Sequence, residues 1–233
     1  MLNEYDLSVI NVDGTHKVSL STAPFSGNPE DETHFGSPVW SPTGNKIAFA
    51  SRIVAKAAAS VSPEPASATA EGLTGIYLIN VNGTGLCKPT STTEAPSGLV
   101  WSPDGEQLAF DHKDTIYVIN TEGSGRNQLA EGAAAAWSPD GQKIAFVNDS
   151  HELHVINADG RGMRRLAKTT DIIPSLTLPA WSPDGEKIAF PCPADQGAEA
   201  IYHPDICVIN PDGTEWKRIA LKGDTYLLSW GSE

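Results

Sequence analysis

Residues 101–120, WSPDGEQLAFDHKDTIYVIN, carry the pattern on which the reading of this chain turns. The opening returns as Trp40-Ser41-Pro42-Thr43-Gly44, Trp137-Ser138-Pro139-Asp140-Gly141 and Trp181-Ser182-Pro183-Asp184-Gly185, and again as a lone Trp230. The close returns as LSVIN (7–11), IYLIN (76–80), LHVIN (153–157) and ICVIN (206–210). Tryptophan spacings of 61, 36, 44 and 49 give a unit of about 36 residues, with the remainder as insertion. Repetition at this period marks a repeat architecture.

Within a unit, turn chemistry separates four short apolar runs. In the 101 unit, Gly98–Trp101 leads into Ser102-Pro103-Asp104-Gly105, where proline presets φ and glycine accepts the positive φ that closes the turn. Gln107–Asp111 and Thr115–Asn120 follow, then the turn Thr121-Glu122-Gly123 and the run Asn127–Ala130. Elsewhere the second turn reads Asp13-Gly14, Asn82-Gly83, Asp159-Gly160 and Asp212-Gly213, strong hairpin signals between apolar runs. The second and third runs are apolar at almost every position, as in Ile144-Ala145-Phe146 and Ile116-Tyr117-Val118-Ile119, which predicts strands covered on both faces. Face-to-face stacking of four-stranded units supplies that cover. Prolines and glycines recur too often for a long helix, and Ala133–Ala136 fills the first-strand slot before Trp137.

The pattern W-S-P-D-G-x-x-I-A-F followed by I-Y-V-I-N-x-D-G resembles the repeat of TolB-type β-propellers, relatives of the WD40-like group, over nearly the whole chain. It departs at Thr43, which stands for Asp, and at Leu108, which stands for Ile. The resemblance implies an all-β propeller, and the five tryptophan starts and five Ile-Asn ends give it five blades, mostly of four antiparallel strands, in a single domain over 1–233. The chain opens with the third and fourth runs of a unit, Asp6–Asn11 and His16–Ser21, and ends with a first run, Thr225–Trp230. Pairing of the N- and C-terminal strands closes the ring in this reading, with a three-stranded closing blade. The rival reading is a fragment of a longer propeller, whose open seam invites edge pairing with another chain. The family implies protein binding or sensing, in the periplasm or outside the cell.

Composition narrows the function. A net charge of −13 over 233 residues repels phosphate backbones and anionic lipid, so neither nucleic acid nor membrane insertion is expected. The first residues, MLNEYDLSVINVDG, carry no signal-peptide pattern. Three cysteines give no disulfide framework, and Cys192 and Cys207 read as two buried thiols, with a bridge as the alternative.

The two turn types fall on one rim and hold their length. The other rim varies, through Thr22–Gly36, Arg52–Gly75 with its low-complexity insert Ala55–Glu71, Thr169–Pro179 and Pro191–Pro204. Binding residues concentrate on such loops. The candidate ligand site therefore lies at the channel mouth on the variable rim, drawn from His34, Asp111, His112, Asp149, His151, Tyr202, His203 and Asp205. No pair of these has tight metal spacing, and no metal or cofactor is expected. No nucleophile elbow, His-Glu-x-x-His, P-loop or dinucleotide fingerprint occurs. The serine and aspartate of W-S-P-D-G recur and so read as structural. The leading expectation is a non-catalytic module for a protein, small-molecule or glycan ligand. The alternatives are a carbohydrate-active enzyme of glycosidase or lyase type working through rim carboxylates, and the accessory propeller of a larger protein such as a peptidase.

Overall fold

The computed structural model describes residues 7–20, 32–54, 74–169, 179–192, 205–219 and 230. Tyr202, His203, the insert 55–71 and the run 225–229 lie outside these residues. Among the described residues every regular element is a strand, and the strands form five antiparallel sheets in chain order. The first pairs β1 (Ser8–Val9) with β2 (Val18–Ser19), both shorter than the runs expected there. The second holds β3 (Glu32–Phe35), β4 (Val39–Trp40), β5 (Lys46–Val54), β6 (Gly75–Asn80) and β7 (Cys87–Ser91). Here β3 and β4 both pair with β5, so the first-strand slot is split in two.

The third sheet runs β8 (Ser97–Trp101), β9 (Gln107–Asp111), β10 (Thr115–Asn120) and β11 (Asn127–Glu131). The fourth runs β12 (Ala133–Trp137), β13 (Lys143–Val147), β14 (Glu152–Asn157) and β15 (Arg164–Lys168). The fifth runs β16 (Ala180–Trp181), β17 (Ile188–Cys192), β18 (Asp205–Ile209) and β19 (Lys217–Ile219). The last three are simple meanders, so the turns 1–2 and 3–4 of each share one end.

Each sheet buries a face against the next. Phe49, Tyr77 and Ile79 of the second sheet meet Leu20, Val9 and Val18 from the first. Ala48, Ile76 and Leu78 on its other face meet Leu99, Trp101 and Phe110 of the third. The third and fourth join through Ala109, Val118 and Phe146, the fourth and fifth through Leu153, Val155 and Phe190. Alternation along each strand therefore feeds two cores, which explains the unbroken apolar runs. Phe49, Phe110, Phe146 and Phe190 occupy the same position in four sheets and are fully buried. Truncating any of them to alanine costs about 3–5 kcal/mol.

The recurring motif supplies the joints. Trp101 Nε1 donates to Val39 O at 3.1 Å, Trp181 Nε1 to Ala136 O at 3.0 Å and Trp230 Nε1 to Ala180 O at 3.0 Å. Each tryptophan thus bonds the residue preceding the tryptophan of the sheet before it. Trp137 Nε1 is the exception, buried without a partner. At the constant rim, Gly105, Gly141 and Gly185 each face the proline ring of the preceding unit's turn (Pro42, Pro103, Pro139). The buried serine of the motif closes its turn from within. Ser102 Oγ donates to Asp104 Oδ1 at 2.5 Å and accepts from Gln107 N at 2.9 Å, and Ser138 and Ser182 repeat this. Where Thr43 replaces the aspartate, Ser41 Oγ donates to Asn45 Oδ1 at 3.1 Å instead, which accounts for the tolerated departure.

One expectation is corrected. Cys192 and Cys207 are joined by a disulfide, their Cα atoms 5.7 Å apart, while Cys87 is free and exposed. The register sets Phe190 opposite Cys207 and Cys192 opposite Asp205, so the two sulfurs are diagonal neighbours on one face. A 15-residue separation spanning an insertion hides that register from the sequence.

Candidate functional site

The first strands β4, β8, β12 and β16 are where neighbouring sheets contact one another in series, which makes them the inner strands. At their upper ends, opposite the W-S-P-D-G turns, lies a cavity of about 500 Å³. Its wall comes from equivalent stretches of three sheets: Gly36 and Ser37, Ser97 and Gly98, Ala133 and Ala134. Small residues at these positions leave the space open, and Leu99, Val39 and Ala50 add apolar lining.

Two of these positions bend the inner strand. Gly98 has φ +59° and Ala134 φ +60°, and the ladders shift register there, between Ser97 and Val100 and between Ala133 and Ala136. An alanine in this left-handed conformation costs roughly 1–2 kcal/mol. Such an irregularity bends the strand locally beside the cavity.

Among the described residues of the wall, Asp111 is the one that is ionisable. It ends β9 opposite Ser97, whose hydroxyl donates a short hydrogen bond to Oδ2. The other oxygen, Oδ1, lies against Gly98, where an added Cβ would overlap it. Burial pushes the Asp111 carboxyl above the ordinary carboxylate range, Ser97 opposing this and Asp114 adding to it. Ser97 was not among the residues singled out from the sequence. Its signal is its place four residues before Trp101, directly across the ladder from Asp111.

The other candidates lie apart from this wall. His112 follows Asp111, its ring 6.5 Å from that of Tyr117 and its Nε2 buried without a hydrogen bond. Burial holds its pKa below the usual histidine value, with Arg126 and Lys113 adding to the effect. His34 is exposed on β3 opposite Arg52. Asp149 is exposed in the turn before β14. His151 adopts φ 56° there, and its carbonyl accepts from Thr169 N at 2.7 Å and Thr169 Oγ1 at 3.0 Å. Asp205 is buried at the start of β18 and pairs with Arg218 at 3.8 Å. A further histidine, His154, is buried on β14, stacked on Phe146 with ring centroids 5.4 Å apart. Its Nε2 sits 3.3 Å from Asn148 Nδ2 and 3.5 Å from Glu152 Oε2. Sequence reasoning treated it as a strand residue and passed over it. Among the described residues no three His, Cys, Asp or Glu groups converge as metal ligands would.

No family model and no curated protein matches the chain. Solved structures do. An oligogalacturonate lyase in complex with manganese superposes with TM-score 0.53 at 19% identity, over 78% of this chain and 49% of its own. An oligogalacturonate lyase from Vibrio parahaemolyticus gives TM-score 0.50 at 16% identity, over 80% of this chain and 51% of its own. The fold is that of the TolB-like β-propellers. TolB from Acinetobacter baumannii matches at TM-score 0.45 and 17% identity, covering 91% of this chain and 58% of its own. The chain spans about half the length of these three solved structures.

Comparison of the propeller's own sheets isolates Asp111. The residue after the buried phenylalanine is Ala50, Asp111, Val147 and Pro191 in successive sheets. A position that the scaffold fills with apolar side chains three times carries a carboxylate once. At the following position His112 tilts against the Tyr117 ring, Asn148 Nδ2 lies 3.3 Å from His154 Nε2 and Cys192 is bridged to Cys207, while Ser51 Oγ is buried without a hydrogen bond.

Proposed function

We propose that this chain is a non-catalytic binding module whose ligand enters the cavity at the inner-strand ends on the variable rim. The observation that carries the reading is the cavity itself. It is of ligand size, lies at the rim where connections vary, and among its described residues holds one carboxylate, which the repeat does not need. In this reading the ring closes by pairing the strand before Trp230 with β1 and β2, which the continuation of the tryptophan ladder to Ala180 supports. A periplasmic or extracellular setting agrees with the Cys192–Cys207 bridge, because disulfides persist in oxidising compartments.

The likeness to oligogalacturonate lyases is one of fold, and charge speaks against that substrate here. An oligogalacturonate is a polyanion, whereas the cavity presents a carboxylate within a chain of net charge −13. The test is a fragment screen by amide chemical-shift perturbation, with a product assay on every hit. Saturable shifts centred on Gly36, Ser97 and Ala133 without turnover are expected. Turnover of any glycan would overturn the assignment.

A further inference from the structure

We infer that the cavity selects ligands bearing a primary ammonium group on a short apolar body, with Asp111 as the counter-charge. The inference rests on the proposed function above and names its ligand class. Among the described residues in the wall, Asp111 alone is ionisable and no cationic side chain is present to neutralise it. The charge that acts on it is that of another carboxylate, Asp114. Nearby cations are engaged elsewhere: Lys113 pairs with Glu94 at 3.4 Å, and the Arg126 guanidinium lies 4.3 Å from the Tyr117 ring centre.

The geometry of the carboxylate sets the class of cation. Oδ2 is taken by Ser97, while among the described residues Oδ1 lies against Gly98 and no other side chain donates to it, the carboxylate's remaining hydrogen bond coming from its own backbone amide. A guanidinium binds carboxylates best through two parallel bonds and needs both oxygens free. A calcium ion needs six or more oxygen ligands, and among the described residues one carboxylate faces the cavity. An ammonium needs one strong acceptor and weaker ones beside it. Oδ1 is that acceptor, and the lone pairs of Ser97 Oγ are the second. The apolar surfaces of Leu99, Val39 and Ala50 suit a short hydrocarbon body. Acidic surface charge raises the local concentration of cations and repels competing anions.

The test uses the full chain at neutral pH with n-butylammonium and its neutral counterpart 1-pentanol, read by amide shift titration and by melting temperature. Butylammonium should bind saturably with shifts at Gly36, Ser97 and Ala133, at least tenfold tighter than pentanol. Asp111→Asn should erase that preference without lowering the melting temperature. Gly98→Ala, whose methyl displaces Oδ1, should weaken the amine and leave pentanol unchanged. Equal binding of both probes, or an unaltered preference in Asp111→Asn, overturns the ammonium class while leaving the cavity as a binding site. Absence of shifts with either probe overturns the binding site as well.

Discussion

Reduction of the Cys192–Cys207 bridge gives a quantitative test of how the fifth sheet is held. The bridge closes a loop with a sequence separation of 15, anchored on both sides by β17 and β18. Loop-closure entropy for a ring of that size corresponds to about 3 kcal/mol of stability. For a domain of this length each kcal/mol moves the melting temperature by roughly 2–4 °C, so full reduction should lower it by about 6–12 °C. Calorimetry with and without a phosphine reductant measures this, alongside a thiol count in denaturant. The unreduced chain should show one thiol, Cys87, and the reduced chain three. Cys87→Ser should leave both the melting temperature and its response to reductant unchanged. Replacing Cys192 and Cys207 together by alanine should fall at least as far, since both sulfurs are buried between the fourth and fifth sheets. Three thiols in the unreduced protein, or a melting temperature shifting by less than about 1 °C on complete reduction, would refute the reasoning, given the loop entropy it assumes.

Other outcomes follow from the same structure. Burial raises the Asp111 pKa, so its contribution to stability is present below the unfolded value and is lost as pH rises through the folded one. Asp111→Asn should therefore raise the melting temperature at pH 7 and leave it nearly unchanged at pH 3; a lower value at pH 7 contradicts the burial argument. Asp104, Asp140 and Asp184 have pKa values lowered first by the serine hydroxyl of their turn. Their contribution is present above the unfolded value of about 3.8 and is lost as pH falls below it. Replacing all three with asparagine should flatten the acid limb of a urea-midpoint profile. Ala134→Gly relieves a left-handed alanine and should stabilise the fold by up to about 1 kcal/mol in urea denaturation, net of the entropy of glycine in the unfolded chain. Trp181→Phe should cost about 1 kcal/mol more than Trp137→Phe, because only the former loses an inter-sheet hydrogen bond to a backbone carbonyl.

The repeat, the strand order within a unit and the constant rim are legible in the residues alone. Those properties are local: a Pro-Asp-Gly turn and an alternating apolar run specify themselves within a dozen residues, which is why Gln107–Asp111 and Thr115–Asn120 are found where the pattern places them. The same locality identified Asp111 as a rim residue and demoted the repeated aspartates of the turns. The folded arrangement, through register and contacts between sheets, supplied the rest. It set Ser97 across from Asp111, and it divided the first-strand slot of the second sheet between β3 and β4. It turned Asp205 toward Arg218 and brought Cys192 beside Cys207. A shift of one residue in pairing exchanges the two faces of a strand. No local pattern across an insertion fixes that shift; packing of the sheet against its neighbours does.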